Sequence, residues 1–248
     1  MTKSSKDIIA IIPARGGSKR LPGKNTAIVG GQPLITHSIR HASASTRIQK
    51  IYVSTDDIGI AAAAELAGAE IIYRPPELSG DESSSESALL HVLDERNKQG
   101  ISDPEILVFL QCTSPIRGGG DIDSAIATFE QLGADSLFSG SDNKRHIWTN
   151  TGDGYTPLNY DYRRRRREQD MPAQYNEDGS IYVLKPEILR QYKNRLGGQI
   201  GVFPIGPWRE YQLDTQEDLE LIDWVLRRPE FAAPIQLPSQ IELIVFDF

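Results

Sequence analysis

The chain has a single cysteine, Cys112, among 248 residues, so no intrachain disulfide can form. A protein that needs no oxidising compartment suits the cytoplasm, and a cytoplasmic setting is the expectation. Long apolar runs are also missing. None reaches the ~18 residues of a membrane helix, and Met1 to Lys6 is too short and polar to open a signal peptide, so neither membrane nor leader is expected. Positive charge is in short supply. Lys and Arg number 27 against 34 Asp and Glu, a net charge of -7. That disfavours a nucleic-acid partner, whose phosphates call for excess Lys and Arg.

Two nucleotide signatures are absent as well. There is no G-x-G-x-x-G, and a P-loop fails on both sides. Ser18 stands five residues before Gly23 where glycine is needed, and Asn25 follows Lys24 in place of the magnesium-binding hydroxyl. Dehydrogenases, P-loop ATPases and kinases of that type lose their main support. The four histidines, His37, His41, His91 and His146, lack metal-ligand spacing.

What is present is an alternation of short apolar runs and helical stripes. Ile8–Ile12, Ile51–Ser54, Glu70–Tyr73, Ile106–Leu110 and Ser136–Ser139 read as buried strands. Leu34, Ile35, Ser38, Ile39 and Ala42 recur at helical spacing after Pro33. Ala61–Ala67 has high helix propensity, and Leu89, Val92, Leu93 and then Ile122, Ala125, Ile126, Phe129 mark two further helices. The expected fold is α/β, with three layers: a mostly parallel sheet covered by helices on both faces. Ligands of such sheets sit beyond the carboxyl ends of the strands. Past residue 140 the pattern loosens through Gly152, Gly154, Pro157 and the run Arg163–Arg167. Strands return at Ser180–Leu184 and Ile200–Pro204. A last helix spans about Thr215 to Arg228, with Thr215 as its N-cap and Asp218 completing the box.

Two domain segments follow from this reading. Residues 1–228 form the principal domain. Residues 229–248 read as a linker with three prolines and then an apolar strand, Ile241–Phe248, whose Asp247 resembles the nucleophile position opening a haloacid-dehalogenase-type phosphatase domain; a plain edge strand is the alternative.

The first strand runs into Pro13-Ala14-Arg15-Gly16-Gly17-Ser18-Lys19-Arg20-Leu21-Pro22-Gly23-Lys24-Asn25. Its glycines let backbone N–H groups approach a ligand, and Arg15, Lys19, Arg20 and Lys24 supply about the charge that a triphosphate carries. With this loop the resemblance to a family becomes specific. IIPARGGSKRLPGKN is similar to the signature of the acylneuraminate cytidylyltransferases, the CMP-sialic acid synthetases and their relatives. VSTDD (53–57), RPPELSGDESSS (74–85), LQCTSPIR (110–117) and DGSIYV (178–183) follow in the family's order, and the similarity extends to about Arg228.

The resemblance implies a nucleotide-diphospho-sugar transferase-like fold with a small dimerisation excursion, and a CTP-dependent nucleotidyltransferase. It implies phosphate contacts from Arg15, Ser18, Lys19 and Lys24, with Asn25 near the ribose. It places Arg74, Ser83 and Ser85 against the cytosine and its ribose, and Gln111 against an acidic sugar, with Ser114 beside it at the crevice. Asp214 would bind Mg²⁺, and Arg15, Lys24 and Asp214 would carry the chemistry. Tyr175 and Tyr182 are expected to line the sugar pocket, and one or two of Arg163–Arg167, Arg167 foremost, to reach the sugar carboxylate. A homodimer is expected through residues 140–175.

Three positions depart from the family. Gln212 stands where a second metal-binding Asp is common, Glu168 where an Arg is, and Asp178-Gly179 where Asn-Gly is. The first leaves room for a non-catalytic nucleotide-binding paralogue. The last two leave open which nonulosonic acid is the substrate. A CMP-Kdo synthetase is a further alternative, as is an accessory domain of a phosphatase.

Overall fold

A computed structural model describes residues 6–229 and 231 of the chain. The linker beyond Pro229, apart from Phe231, and the expected strand Ile241–Phe248 with Asp247 lie outside the described residues.

In chain order the elements are β1 (Ile8–Pro13), β2 (Ile28–Val29), β3 (Gln32–Pro33), α1 (Leu34–Ala44), β4 (Lys50–Thr55), α2 (Ile58–Leu66), β5 (Glu70–Tyr73), α3 (Ser85–Lys98), β6 (Ile106–Leu110), α4 (Asp121–Leu132), β7 (Ser136–Asp142), β8 (Trp148–Asn150), β9 (Tyr155–Pro157), β10 (Tyr175–Leu184), α5 (Pro186–Tyr192), β11 (Ile200–Ile205) and α6 (Gln216–Leu226). Among the described residues seven strands form one sheet in the order β11-β7-β10-β6-β1-β4-β5. The pairs β1–β4, β1–β6, β4–β5 and β7–β11 are parallel. β10 is antiparallel to both of its neighbours.

The pleat of β1 shows why three layers form. Ile8, Ala10 and Ile12 face a core with α1, α2, α4 and α6, while Ile9 and Ile11 face a second core with α3 and α5. Both faces of the strand are buried, so its sequence is a continuous apolar run and not an alternation. α6 starts as expected. Thr215 accepts from the Asp218 N–H, and the Asp218 carboxylate accepts from the Thr215 N–H.

The strand order reverses between β1 and β6: β4 and β5 lie on one side of β1, and β6 on the other. This is the switch point at which an open α/β sheet leaves a crevice. β10 lies next to β6 but runs the opposite way. Ile181 pairs with Leu110 at the end of β6, so Tyr175 to Ser180 run on past the carboxyl ends. A register shift between Glu177 and Tyr182 bends β10 there and turns Asp178 and Gly179 toward the crevice. Only the second half of β10 was legible from the sequence, because its first half, YNEDG, lacks an apolar pattern.

Candidate active site

The loop between β1 and β2 arches over the crevice. Gly16 donates its N–H to Asp56 Oδ1 at 3.0 Å. A Cβ on Gly16 would stand 2.7 Å from Asp57 Oδ2 and 2.8 Å from Asp57 Cβ. Asp57 is itself committed as the N-cap of α2, accepting from the Ile60 N–H at 2.9 Å. Glycine is therefore the residue that lets this loop lie against the β4–α2 turn. Gly16→Ala should lower CTP affinity by about tenfold and cost about 1–2 kcal/mol of stability through the disturbed cap. Calorimetric titration and thermal melts check both.

Asn25 anchors the loop from within. It is buried, and its amide donates to the Arg15 carbonyl at 2.8 Å. Two carboxylates organise the four cations. Asp81 pairs with Arg15 at 3.3 Å and with Lys19, and those cations hold its carboxyl below the usual range. Asp214 pairs with Lys24 at 3.0 Å and Arg20 at 3.5 Å. The Arg15 guanidinium also donates to the Gly80 carbonyl at 2.8 Å, tying the loop to the segment before α3.

A cleft of about 280 Å³ lies beneath. Arg15, Ser18, Lys24, Asn25, Arg74, Asp81, Ser83, Ser84, Ser85, Gln111, Cys112 and Thr113 line it, with Pro13. Arg74 is almost fully buried and braced by Ser54, its Nη2 donating to the backbone carbonyl at 2.7 Å and its Nε to Oγ at 3.2 Å. Burial draws the Arg74 pKa down. Of the three serines, Ser84 is the helix cap, accepting from the Ser87 N–H at 3.1 Å. That leaves the side chains of Ser83 and Ser85 uncommitted to the cap. Cys112 is buried, which pushes its thiol up to about 12, so it is no nucleophile at neutral pH.

Gln111 forms the far wall with Thr113. Below it lies a polar cluster that sequence reasoning did not assign. Arg117 is buried and donates to Ser38 Oγ (2.9 Å), the Gln111 carbonyl (3.1 Å) and the Ser180 carbonyl (2.7 Å). Asp178 accepts from Ser139 Oγ at 2.6 Å and from the Ser180 N–H at 2.8 Å, while its Oδ2 has no hydrogen-bond partner. Ser114 is buried too, its hydroxyl donating to the Asp178 carbonyl at 3.4 Å, so it supports the crevice floor and does not line the cleft.

Burial pushes the Asp178 carboxyl up to about 6, against the pull of its hydrogen bonds and of Arg117. The folded pKa exceeds the unfolded value of about 3.9. The stabilisation is thus complete below about pH 4 and is lost as pH rises through about 6. A rise of about two pKa units corresponds to roughly 3 kcal/mol. Asp178→Asn should abolish this component and melt above wild type at pH 8, with the gap closing toward pH 4. Melting curves of both proteins across that range give the comparison.

Two expected sugar contacts lie elsewhere. Arg167 is exposed and paired with Asp170 at 2.9 Å. Tyr175 is partly exposed at the head of β10 and pairs with Asp142 of β7. Neither lines the cleft. Tyr182 departs further from expectation: it belongs to the core under α3, stacked on Phe109 at 5.1 Å, with its hydroxyl donating to Glu177.

Asp214, the carboxylate that the resemblance puts at a metal, is paired with loop cations as Asp81 is, and it stands at the cleft edge through Lys24. Asp218 is committed, accepting from the N–H groups of Asp214 and Thr215. No group of three or more His, Cys, Asp or Glu capable of holding a metal occurs among the described residues. One half-exposed carboxylate fits magnesium of the kind that takes most of its ligands from phosphates and water, and does not fit an all-protein cage.

Similarity to known proteins bears on the family and the fold. The chain is 34% identical over 226 residues to N-acylneuraminate cytidylyltransferase A of Danio rerio, covering 90% of this chain and 50% of that protein. It is 30% identical over 215 residues to the N-acylneuraminate cytidylyltransferase of Streptococcus agalactiae serotype III (strain NEM316), covering 85% of this chain and 51% of that one. The chain thus spans about half the length of the curated relatives it matches. Its fold superposes on a CMP:2-keto-3-deoxy-manno-octonic acid synthetase solved with CTP, with a TM-score of 0.67 at 19% identity, covering 89% of this chain and 98% of the other. Residues 9–232 match the profile described as Cytidylyltransferase, and the chain belongs to the cytidylyltransferase family.

Proposed function

We propose that this chain transfers CMP from CTP to the anomeric hydroxyl of a nonulosonic, sialic-type acid, releasing pyrophosphate. The observation that carries this reading is one cleft at the strand-order reversal, lined by the loop cations Arg15 and Lys24, by Arg74 and Ser83–Ser85 and by Gln111, with Lys19 and Arg20 exposed on the same loop outside it. In this reading Arg15, Ser18, Lys19 and Lys24 hold the triphosphate, with Asn25 near the ribose. Arg74, Ser83 and Ser85 take the cytosine and its ribose. Gln111 faces the sugar, with Ser114 supporting the floor.

The sugar hydroxyl attacks the α-phosphorus in line as pyrophosphate leaves. Lys24, only 12% exposed, is a fixed cation beside the transferred group, and Arg15 steadies the leaving phosphates. Asp214 would hold Mg²⁺, which neutralises phosphate charge when bound. Lys24 and Arg20 would then exchange the Asp214 carboxylate for phosphate oxygens.

A homodimer belongs to the same proposal. Around β8 and β9, Trp148, Tyr155, Leu158 and Tyr162 are exposed large apolar side chains. Light scattering should return twice the chain mass of 27.6 kDa, and a monomer at micromolar concentration would exclude it. The cytoplasmic setting rests on the single buried cysteine, which no oxidising compartment needs to pair. Pyrophosphate release with CTP, Mg²⁺ and a panel of eight- and nine-carbon sugar acids tests the function. Release with a nine-carbon acid supports it. Preference for the eight-carbon sugar redirects it, and silence across the panel overturns it.

A further inference from the structure

Gln212, between β11 and α6, is joined to the crevice wall by a chain of amides whose direction is set at one end. Its Nε2 donates to the Asp178 backbone carbonyl at 2.9 Å. A carbonyl only accepts, so the nitrogen of Gln212 faces Asp178 and its oxygen faces Gln111. That oxygen accepts from Gln111 Nε2 at 3.4 Å, and the same nitrogen donates to Thr113 Oγ1 at 3.0 Å. Both N–H groups of Gln111 are thereby engaged, and Oε1 remains as its acceptor. The Gln111 backbone is held as well, since Arg117 donates to its carbonyl.

Gly179 makes the close packing of the two amides possible. It has φ +74°, and a Cβ there would come 2.8 Å from Gln212 Nε2 and 2.9 Å from Gln111 Oε1. A side chain at 179 would push the amides apart as well as straining the backbone.

We propose that Gln212 is a positioning residue that fixes the Gln111 side chain with its oxygen as an acceptor in the cleft, so that the second substrate must present a hydrogen-bond donor, a hydroxyl or an amide N–H, at this point. The substrate half of this statement rests on the proposed function. The amide orientation does not. A site built around one fixed acceptor discriminates strongly against a ligand that lacks the donor, because the buried acceptor is then left unpaired.

Two readouts of Gln212→Leu test the inference. In ¹⁵N-labelled protein, the Gln111 side-chain amide protons, assigned by their loss in Gln111→Glu, should exchange slowly in wild type and at least tenfold faster in Gln212→Leu. Gln212→Glu keeps an acceptor toward Gln111 but sets its other oxygen against the Asp178 carbonyl, so it should retain only part of the protection, more than Gln212→Leu. In the pyrophosphate assay, KM for the sugar acid should rise about tenfold in Gln212→Leu while KM for CTP stays within about twofold, and Gln212→Glu should recover part of the sugar affinity. Unchanged exchange in Gln212→Leu overturns the positioning role. An equal rise in both KM values reduces Gln212 to general support of the fold and overturns the specificity claim. A wild-type chain that turns over no sugar removes the proposed function, while the exchange readout still decides whether Gln212 orients Gln111.

Discussion

Lys24→Ala should lower kcat/KM for CTP by about 10²–10³, the range for losing one preorganised charge-stabilising donor. The Lys24 side chain is only 12% exposed, whereas Lys19 and Arg20 are 76% and 73% exposed. Water screens those two, and their loss should matter far less. Lys24 sits within the cleft lining, with Asp214 as its counter-ion at 3.0 Å. Replacing it leaves Asp214 facing the incoming triphosphate with only the exposed Arg20 to balance it. The loss should fall on CTP binding and also on kcat, because the ammonium holds the triphosphate in the ground state and meets the charge that develops as pyrophosphate leaves. Lys24→Arg keeps the charge but changes its shape, and should retain more activity than alanine. Steady-state kinetics of the three proteins, with melting curves to confirm folding, give the comparison.

Arg117→Met should cost about 3–4 kcal/mol of stability and lower Tm by about 10 °C. Methionine fills part of the space but donates nothing. The carbonyls of Gln111 and Ser180 would each lose a charged donor, at about 1–3 kcal/mol for each buried acceptor left without a partner. Arg117 also ties the end of β6, through Gln111, to the bend of β10, through Ser180, so the crevice wall should loosen with it. Arg117→Lys restores charge but not the planar fork that reaches Ser38 and both carbonyls, and should recover less than half of the loss. Burial holds the guanidinium pKa down to about 10, so the group is charged at neutral pH; because Arg117 also pulls the raised Asp178 pKa down, the loss should grow as pH rises from 6 to 8. Thermal and denaturant melts check each point.

Local patterns in the sequence carried the sheet and the phosphate loop. The apolar runs of β1, β4, β6 and β7 are local facts, as is the cluster of Gly and cations after β1. Arg15, Ser18, Lys24 and Asn25 belong to that loop, whereas Arg74, Ser83, Ser85 and Gln111 were named through the resemblance to the family; all eight line one cleft, and Lys19 does not. What was illegible lies where distant segments meet. Asp178, Arg117 and Gln212 come from three parts of the chain, and nothing in the spacing of one predicts contact with another. Gln212 was visible only as a missing carboxylate, yet in the fold it is an amide with two partners. Arg117 entered the sequence reading only as the last residue of LQCTSPIR, a cation just past an apolar strand with no role attached. That signal does not distinguish a buried fork from a surface charge. Arg167 and Tyr175 were expected at the sugar through the resemblance; Arg167 is paired with Asp170, and neither lines the cleft.

In the proposed function the cationic loop and the cleft beneath it hold the nucleoside triphosphate. Calorimetric titration of CTP with Mg²⁺ into wild type and Lys24→Ala tests it most directly. The account predicts one site per chain, with wild-type Kd between about 1 μM and 1 mM, weakened at least tenfold in the variant and by rising salt. Absence of CTP uptake by the folded wild-type protein, or equal affinity in the two proteins, would contradict it.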